Sequence, residues 1–263
     1  TYQWYKDGIA LDGDVSRSLV IESMDAGHEG SYSVDVSNSS GSVLVGSTRA
    51  RMIREALFNI STRGYVGTLH EVMIAGFIIT GTQPRQVLIR GLGKSLETRD
   101  PNIEAALTDP KLTLYNWQNQ EIASQDNLID DPNWEAVQSI GLSVGAEPPV
   151  DTSESVMLIT LVPGLYTAIL SGADGGTGLG LIEVFDASND SIETRLTNIS
   201  TRVRASEGQE VAIGGFVITG QDPKRVLIRA LGPELLKRDV FEVLPDPYMA
   251  LYSGADIVAA NDD

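Results

Sequence analysis

Cysteine is absent from all 263 residues. That excludes disulfides, thiol catalysis and zinc held by cysteine thiolates, and it leaves the compartment open. Histidine is scarce: His28 and His70 are the two in the chain, so any imidazole base must be one of them. Positive charge is also in short supply. There are 19 Lys and Arg against 36 Asp and Glu, a formal charge of −17. Such a surface repels nucleic acid and anionic lipid, whose binding needs clustered cations. The longest apolar stretch, Val72 to Ile79, is far short of the roughly 20 residues that span a bilayer as a helix. Neither nucleic-acid binding nor membrane insertion is expected.

What is present is a globular share of apolar residues, 42%, arranged with a period of two. The length fits about two domains. Thr1-Tyr2-Gln3-Trp4 opens in mid-pattern and Asn261-Asp262-Asp263 closes without a terminator, so the chain reads as part of a longer protein.

In the first fifty residues, short alternating segments are separated by Gly, Asn, Asp and Ser, the signal of an all-β unit. Tyr2–Lys6, Ser18–Ile21, Ser31–Ser37 and Ser42–Val45 read as strands, with Asn38-Ser39-Ser40-Gly41 as a tight hairpin. The order of these marks resembles the immunoglobulin fold of the intermediate-set type found in bacterial surface proteins. Trp4 matches the core tryptophan of the third strand, and Leu19 and Ile21 match the strand before the corner. Glu29-Gly30-Ser31-Tyr32 matches the corner in which the tyrosine hydroxyl bonds back to backbone. His28 stands where the family has Asp, and Val34 stands at the second cysteine position. With the tryptophan at position 4, the resemblance implies that residues 1–50 are the C-terminal part of such a domain.

The remainder contains a long repeat. Asn59-Ile60-Ser61-Thr62-Arg63 recurs as Asn198-Ile199-Ser200-Thr201-Arg202, Gly76–Gly81 as Gly215–Gly220, and Pro84–Gly93 as Pro223–Gly232. All three are separated by 139 residues (198 less 59, 215 less 76, 223 less 84). Solenoid repeats have periods of roughly 20–50 residues, so each copy is expected to be a self-contained domain. The expected bounds are 55–187 for a complete copy and 194–263 for the N-terminal half of a second, with a polar linker at 187–191. Strands are expected at 56–63, 71–80, 85–91, 111–116, 120–125, 154–161, 164–171 and 178–186. Pro163-Gly164 and Gly172–Gly176 read as hairpin turns. Helical turns are expected at Ser95–Asp100, Ile103–Leu107 and Trp134–Ile140. That strand number suggests a jelly-roll-like β-sandwich, making the whole chain all-β with tandem sandwiches. The segment resembles a repeat of long secreted bacterial proteins, marked by Ile-Ser-Thr-Arg, Gly-Phe-Ile-Ile-x-Gly and Val-Leu-Ile-Arg-x-Leu-Gly. Leu112–Tyr115 and Gly164–Ala168 are similar to the pre-peptidase C-terminal domain. The resemblance implies an extracellular or cell-surface accessory module with no activity of its own.

Few residues suggest chemistry, and no catalytic or cofactor-binding residue is singled out. Arg90-Gly91-Leu92-Gly93-Lys94-Ser95 looks like the end of a phosphate-binding loop, but the glycine that motif requires is Leu88 here, and the second copy reads Gly232-Pro233-Glu234. Asp126, Asn127, Asp130 and Asp131 crowd one loop, with Asn261-Asp262-Asp263 at the matching place. Hard oxygen ligands of this kind suit Ca²⁺, and the same residues are ordinary turn formers. Arg63, Arg90, Arg202 and Arg229 lie in apolar strands and must be paired or reach solvent. Glu183 is the expected partner of Arg90. Trp117 and Trp134 are candidates for a sugar-stacking platform, although the second copy has Gly254 near the position of Trp117.

Two functions remain open. One is a non-catalytic structural or adhesive module of a secreted or cell-surface bacterial multidomain protein. The other is a carbohydrate-binding accessory module of a secreted hydrolase. The expected partners are other modules of the same chain, with a surface glycan or protein as a further candidate.

Overall fold

The computed structural model describes residues 1–21, 26–28, 30–39, 41–50, 56–128, 134–188, 195–219 and 223–262. It is predominantly β, built from antiparallel sheets. The first holds β1 (Tyr2–Lys6), β2 (Ile9–Ala10), β3 (Gly30–Asn38) and β4 (Gly41–Ala50) in the order β2-β1-β3-β4. Trp4 lies opposite Val34, and Asn38 opposite Gly41 at the hairpin. The Tyr32 hydroxyl donates to the His28 carbonyl at 2.7 Å, the back-bond expected of the corner; Glu29 and Ser40 lie outside the described residues. The expected strand at 18–21 is not formed. No second sheet of this unit occurs among the described residues, so Ser18–Ile21 has no ladder to join.

Eight strands follow: β5 (Ala56–Val66), β6 (Met73–Thr80), β7 (Arg85–Leu92), β8 (Pro110–Asn116), β9 (Glu121–Gln125), β10 (Ser155–Leu161), β11 (Gly164–Gly172) and β12 (Gly178–Asp186). They are joined by β13 (Arg195–Arg202) and β14 (Ile213–Thr219), giving two five-stranded sheets ordered β10-β7-β12-β5-β14 and β13-β6-β11-β8-β9. The inner faces share one core. Ile60, Val87, Ile89, Ile182 and Val184 come from the first sheet, and Met73, Phe77, Leu112, Leu114, Tyr166 and Leu170 from the second. Phe77 stacks on Tyr166 with centroids 5.6 Å apart.

The two outer faces differ, and the sequence shows why. β6 alternates buried and half-buried positions, as a sheet with one wet face must. β7 carries the unbroken run Val87-Leu88-Ile89 and is buried along nearly its whole length, the mark of a strand covered on both sides. The cover is α2 (Trp134–Ser143), whose Val137 packs with Leu88, Val156 and Phe185. Burying one such side chain contributes about 1.5–3 kcal/mol. α1 (Ser95–Arg99) closes the end of the same face through Leu92, Leu96 and Leu179.

Several local expectations are corrected. Pro163-Gly164 is not a hairpin turn: β10 pairs with β7 in one sheet, while β11 pairs with β6 and β8 in the other. Gly172–Gly176 likewise carries the chain from one sheet to its opposite. Among β5 to β12, β8 and β9 are the consecutive strands that pair. Ile103–Leu107 is not helical, because it lies beside the start of β12. The Leu107 N–H donates to the Leu179 carbonyl and the Leu179 N–H to the Ala105 carbonyl, both at 2.8 Å. Gly93 is required there, since a Cβ would stand 1.9 Å from the Leu107 carbonyl oxygen.

The second copy is not merely tethered to the first. β13 pairs with β6 and β14 with β5, so its first two strands extend both sheets of 55–187. The expectation of two independent units therefore omits a hydrogen-bonded joint. Further on, β15 (Met249–Ser253) and β16 (Asp256–Asn261) form a hairpin matching β8 and β9. The segment matching β7, at 224–231, is irregular. β7 lies between β10 and β12, and the 263 residues contain no second version of either strand. No described helix is long and apolar enough to cross a membrane.

Candidate functional site

An open groove of about 460 Å³ lies on the outer face of the first sheet. Phe58, Arg99, Val144, Glu147 and Val217 form its walls, with Arg90, Glu183 and Phe185 also lining it. Val217 belongs to β14, so the second copy contributes to it.

Strand alternation places Arg90 here. Val87 and Ile89 face the core, and Leu88 and Arg90 face outward. On β12, Ile182 and Val184 face the core, which leaves Glu183 outward and directly opposite Arg90. The side chains are 3% and 12% exposed. Arg90 Nε donates to Glu183 Oε2 at 3.0 Å, and Nη2 donates to the same oxygen. Nη1 donates to the Glu147 carbonyl, and the guanidinium carbon lies 5.2 Å from the centroid of Phe185. Burial pulls the Arg90 pKa below its ordinary value, while Glu183 opposes that fall. Every guanidinium nitrogen is thus engaged. The pair is a fixed cation and carboxylate lodged between two apolar clusters, as a buried charge requires. Arg99 and Glu147, both exposed, are the charged groups that a ligand in the groove meets at its rim.

A second buried pair went unforeseen. Arg85 Nε and Nη2 donate to the two carboxylate oxygens of Asp186 at 2.8 and 2.7 Å. This two-pronged geometry is the strong form of the contact. Its only sequence signal is the placement of opposite charges at the first residue of β7 and the last of β12.

The string resembling a phosphate loop is occupied from within. Glu154, 0% exposed, accepts the Gly93 N–H and the Ser95 N–H, each at 2.7 Å. Lys94 Nζ reaches Glu97 at 3.0 Å, and the Val150 N–H donates to Ser95 Oγ. A carboxylate of the protein holds the backbone donors that an anion would need. Burial pushes the Glu154 pKa up, against the two backbone hydrogen bonds. In the sequence, Glu154 is one acidic residue among 36, and nothing marks it.

The remaining candidates are dispersed. Asp130 and Asp131 lie outside the described residues. Asp126 neighbours Asp109, whose pKa is raised by burial and then by Asp126, Asp174 and Asp151. Among the described residues, no group of three or more His, Asp or Glu is arranged to hold a metal ion. Trp117 is 72% exposed in the β8–β9 turn, whereas Trp134 opens α2 and packs on the outer face of the other sheet. They do not form one platform. The His28 carbonyl accepts from the Tyr32 hydroxyl, and the His70 carbonyl accepts from Arg202 at 3.4 Å. Arg63 is half-buried and its Nε has no hydrogen-bond partner, whereas Arg229 is exposed.

Compared with known proteins, the chain matches no family model, no curated protein and no solved structure.

Proposed function

We propose that this chain is a non-catalytic structural or adhesive part of a secreted or cell-surface bacterial multidomain protein. In this reading, residues 1–50 belong to an immunoglobulin-like module. Residues 55–187 form a jelly-roll-like β-sandwich repeat, and 194–263 begin another. The supporting observation is the joint between copies, in which β13 and β14 extend both sheets of the preceding repeat. Load applied to one copy passes through antiparallel ladders into the next, which suits a spacer holding other modules apart. The buried charges fit the same role. Arg90 with Glu183, Arg85 with Asp186, and Glu154 with the 93–95 backbone all tie one element to another.

Stretching the intact chain between its ends in optical tweezers tests this. A load-bearing spacer releases residues 56–219 in one cooperative step. Peeling of 195–219 at low force, ahead of the remainder, would count against it.

The groove supports the second reading, a carbohydrate-binding accessory module of a secreted hydrolase, because it sets Arg99 and Glu147 beside Phe58. A glycan array probed with the intact chain separates the two. Binding that disappears in both R99A and E147A favours the carbohydrate reading, and no binding favours the spacer.

A further inference from the structure

The joint between the copies has a local two-fold axis. Each cross-copy ladder pair has a counterpart 139 positions away. Phe216 lies opposite Ile60, and Ile199 opposite Phe77; Gly215 lies opposite Ser61, and Ser200 opposite Gly76. The irregularities match as well, falling between Val217 and Ile218 in one ladder and between Leu196 and Asn198 in the other. Residues on such an axis meet their own counterparts. Thr62 Oγ1 and Thr201 Oγ1 lie 2.7 Å apart at a separation of 139 residues. Gly64 faces Val203, where a Cβ on the glycine would stand 2.6 Å from the valine side chain. A contact in which i meets j and the counterpart of j meets the counterpart of i is isologous, the form that joins identical subunits.

The β14 side of the attachment is also loosely covered, while Leu196 of β13 is 1% exposed and sits in the core. Ile213, Val217 and Ile218 of β14 are 43%, 48% and 37% exposed, whereas Phe77 and Ile79 of β6 are 2% and 1% exposed. Segments with little buried surface open at low free energy. Whichever chain supplies the 195–219 segment, the ladder it makes is the same.

We propose that this surface joins two copies of the chain. In the dimer, β5 of each takes β14 of the other and β6 takes β13, in the same register and about the same axis.

The lack of cysteine makes the test direct. In the full chain, T62C/T201C oxidised at high dilution should close a disulfide within the molecule, with monomer mass and faster migration without reductant. Full-length T62C and full-length T201C should then be mixed in denaturant, refolded together at high concentration and oxidised. A disulfide dimer containing one of each is expected, at a yield severalfold above that of T62C refolded alone. Equal yields would show chance collision and overturn the proposal. Monomers alone, beside closure in the double variant, would overturn it too, because pairing would then belong to tethered neighbours only. No closure in the double variant would remove the contact on the axis and overturn the proposal. Arg63 and Ile213 face each other at the end of the β5–β14 ladder. R63C and I213C repeat each comparison if the melting curve shows that T62C does not refold.

Discussion

Arg90 and Glu183 face each other across the β7–β12 ladder, withdrawn from water on a surface otherwise given to Leu88, Phe185 and Leu92. Such a pair contributes little net stability, yet a lone member is costly because a buried charge is left uncompensated. E183Q should therefore lower the unfolding free energy by about 3–5 kcal/mol. The double variant R90M/E183L, which replaces both charges with apolar groups, should recover most of that loss. Urea unfolding of the single and double variants checks this. A double variant no better than E183Q would mean that the residues act separately.

Glu154 holds two backbone donors at once. In E154Q one carboxylate oxygen becomes an amide NH₂, which faces an N–H instead of accepting from it. A buried donor left without a partner costs about 1–3 kcal/mol, and E154Q should lose that much. Hydrogen exchange at Gly93 and Ser95 should quicken with it. Unchanged protection at both amides would contradict the geometry.

Asp109 supplies a pH dependence. Its carboxyl is raised above the usual range by burial and by Asp126, Asp174 and Asp151, and its Oδ1 is buried without a hydrogen bond. The folded state thus holds the proton more tightly than the unfolded state. The resulting stability is fully present below the unfolded pKa of about 3.9 and is lost as pH rises through the folded value. D109N removes the charge, so it should raise the melting temperature at neutral pH and leave it nearly unchanged at about pH 3. Calorimetry at the two pH values decides. An equal effect at both would remove the electrostatic explanation.

The strands of 55–187 were legible because alternation marks them directly, and the observed ends fall within a few residues of those expected. Arg90 was readable for the same reason: a charge inside an apolar strand needs a partner, and Glu183 sits in the matching position of β12. The path between strands was not legible. Alternation is identical for two strands paired in one sheet and for two facing each other across a core, so Pro163-Gly164 carries no mark of its crossing. Ile103–Leu107 misled because its apolar spacing suits a helix, whereas Leu107 is held by the start of β12. Glu154 escaped because its role depends on two amides about sixty residues away in the chain. The joint between copies escaped for a different reason: the repeat shows that two units are alike, but not that each supplies the other's missing neighbours.

The axis between Thr62 and Thr201 also limits how many repeats this contact can gather. A contact made by like with like closes on itself, so once β5 and β6 are taken, no third repeat can use them. Repeats joined this way count in twos rather than in an open row. An odd one is left with bare strand edges, which invite aggregation unless something else covers them.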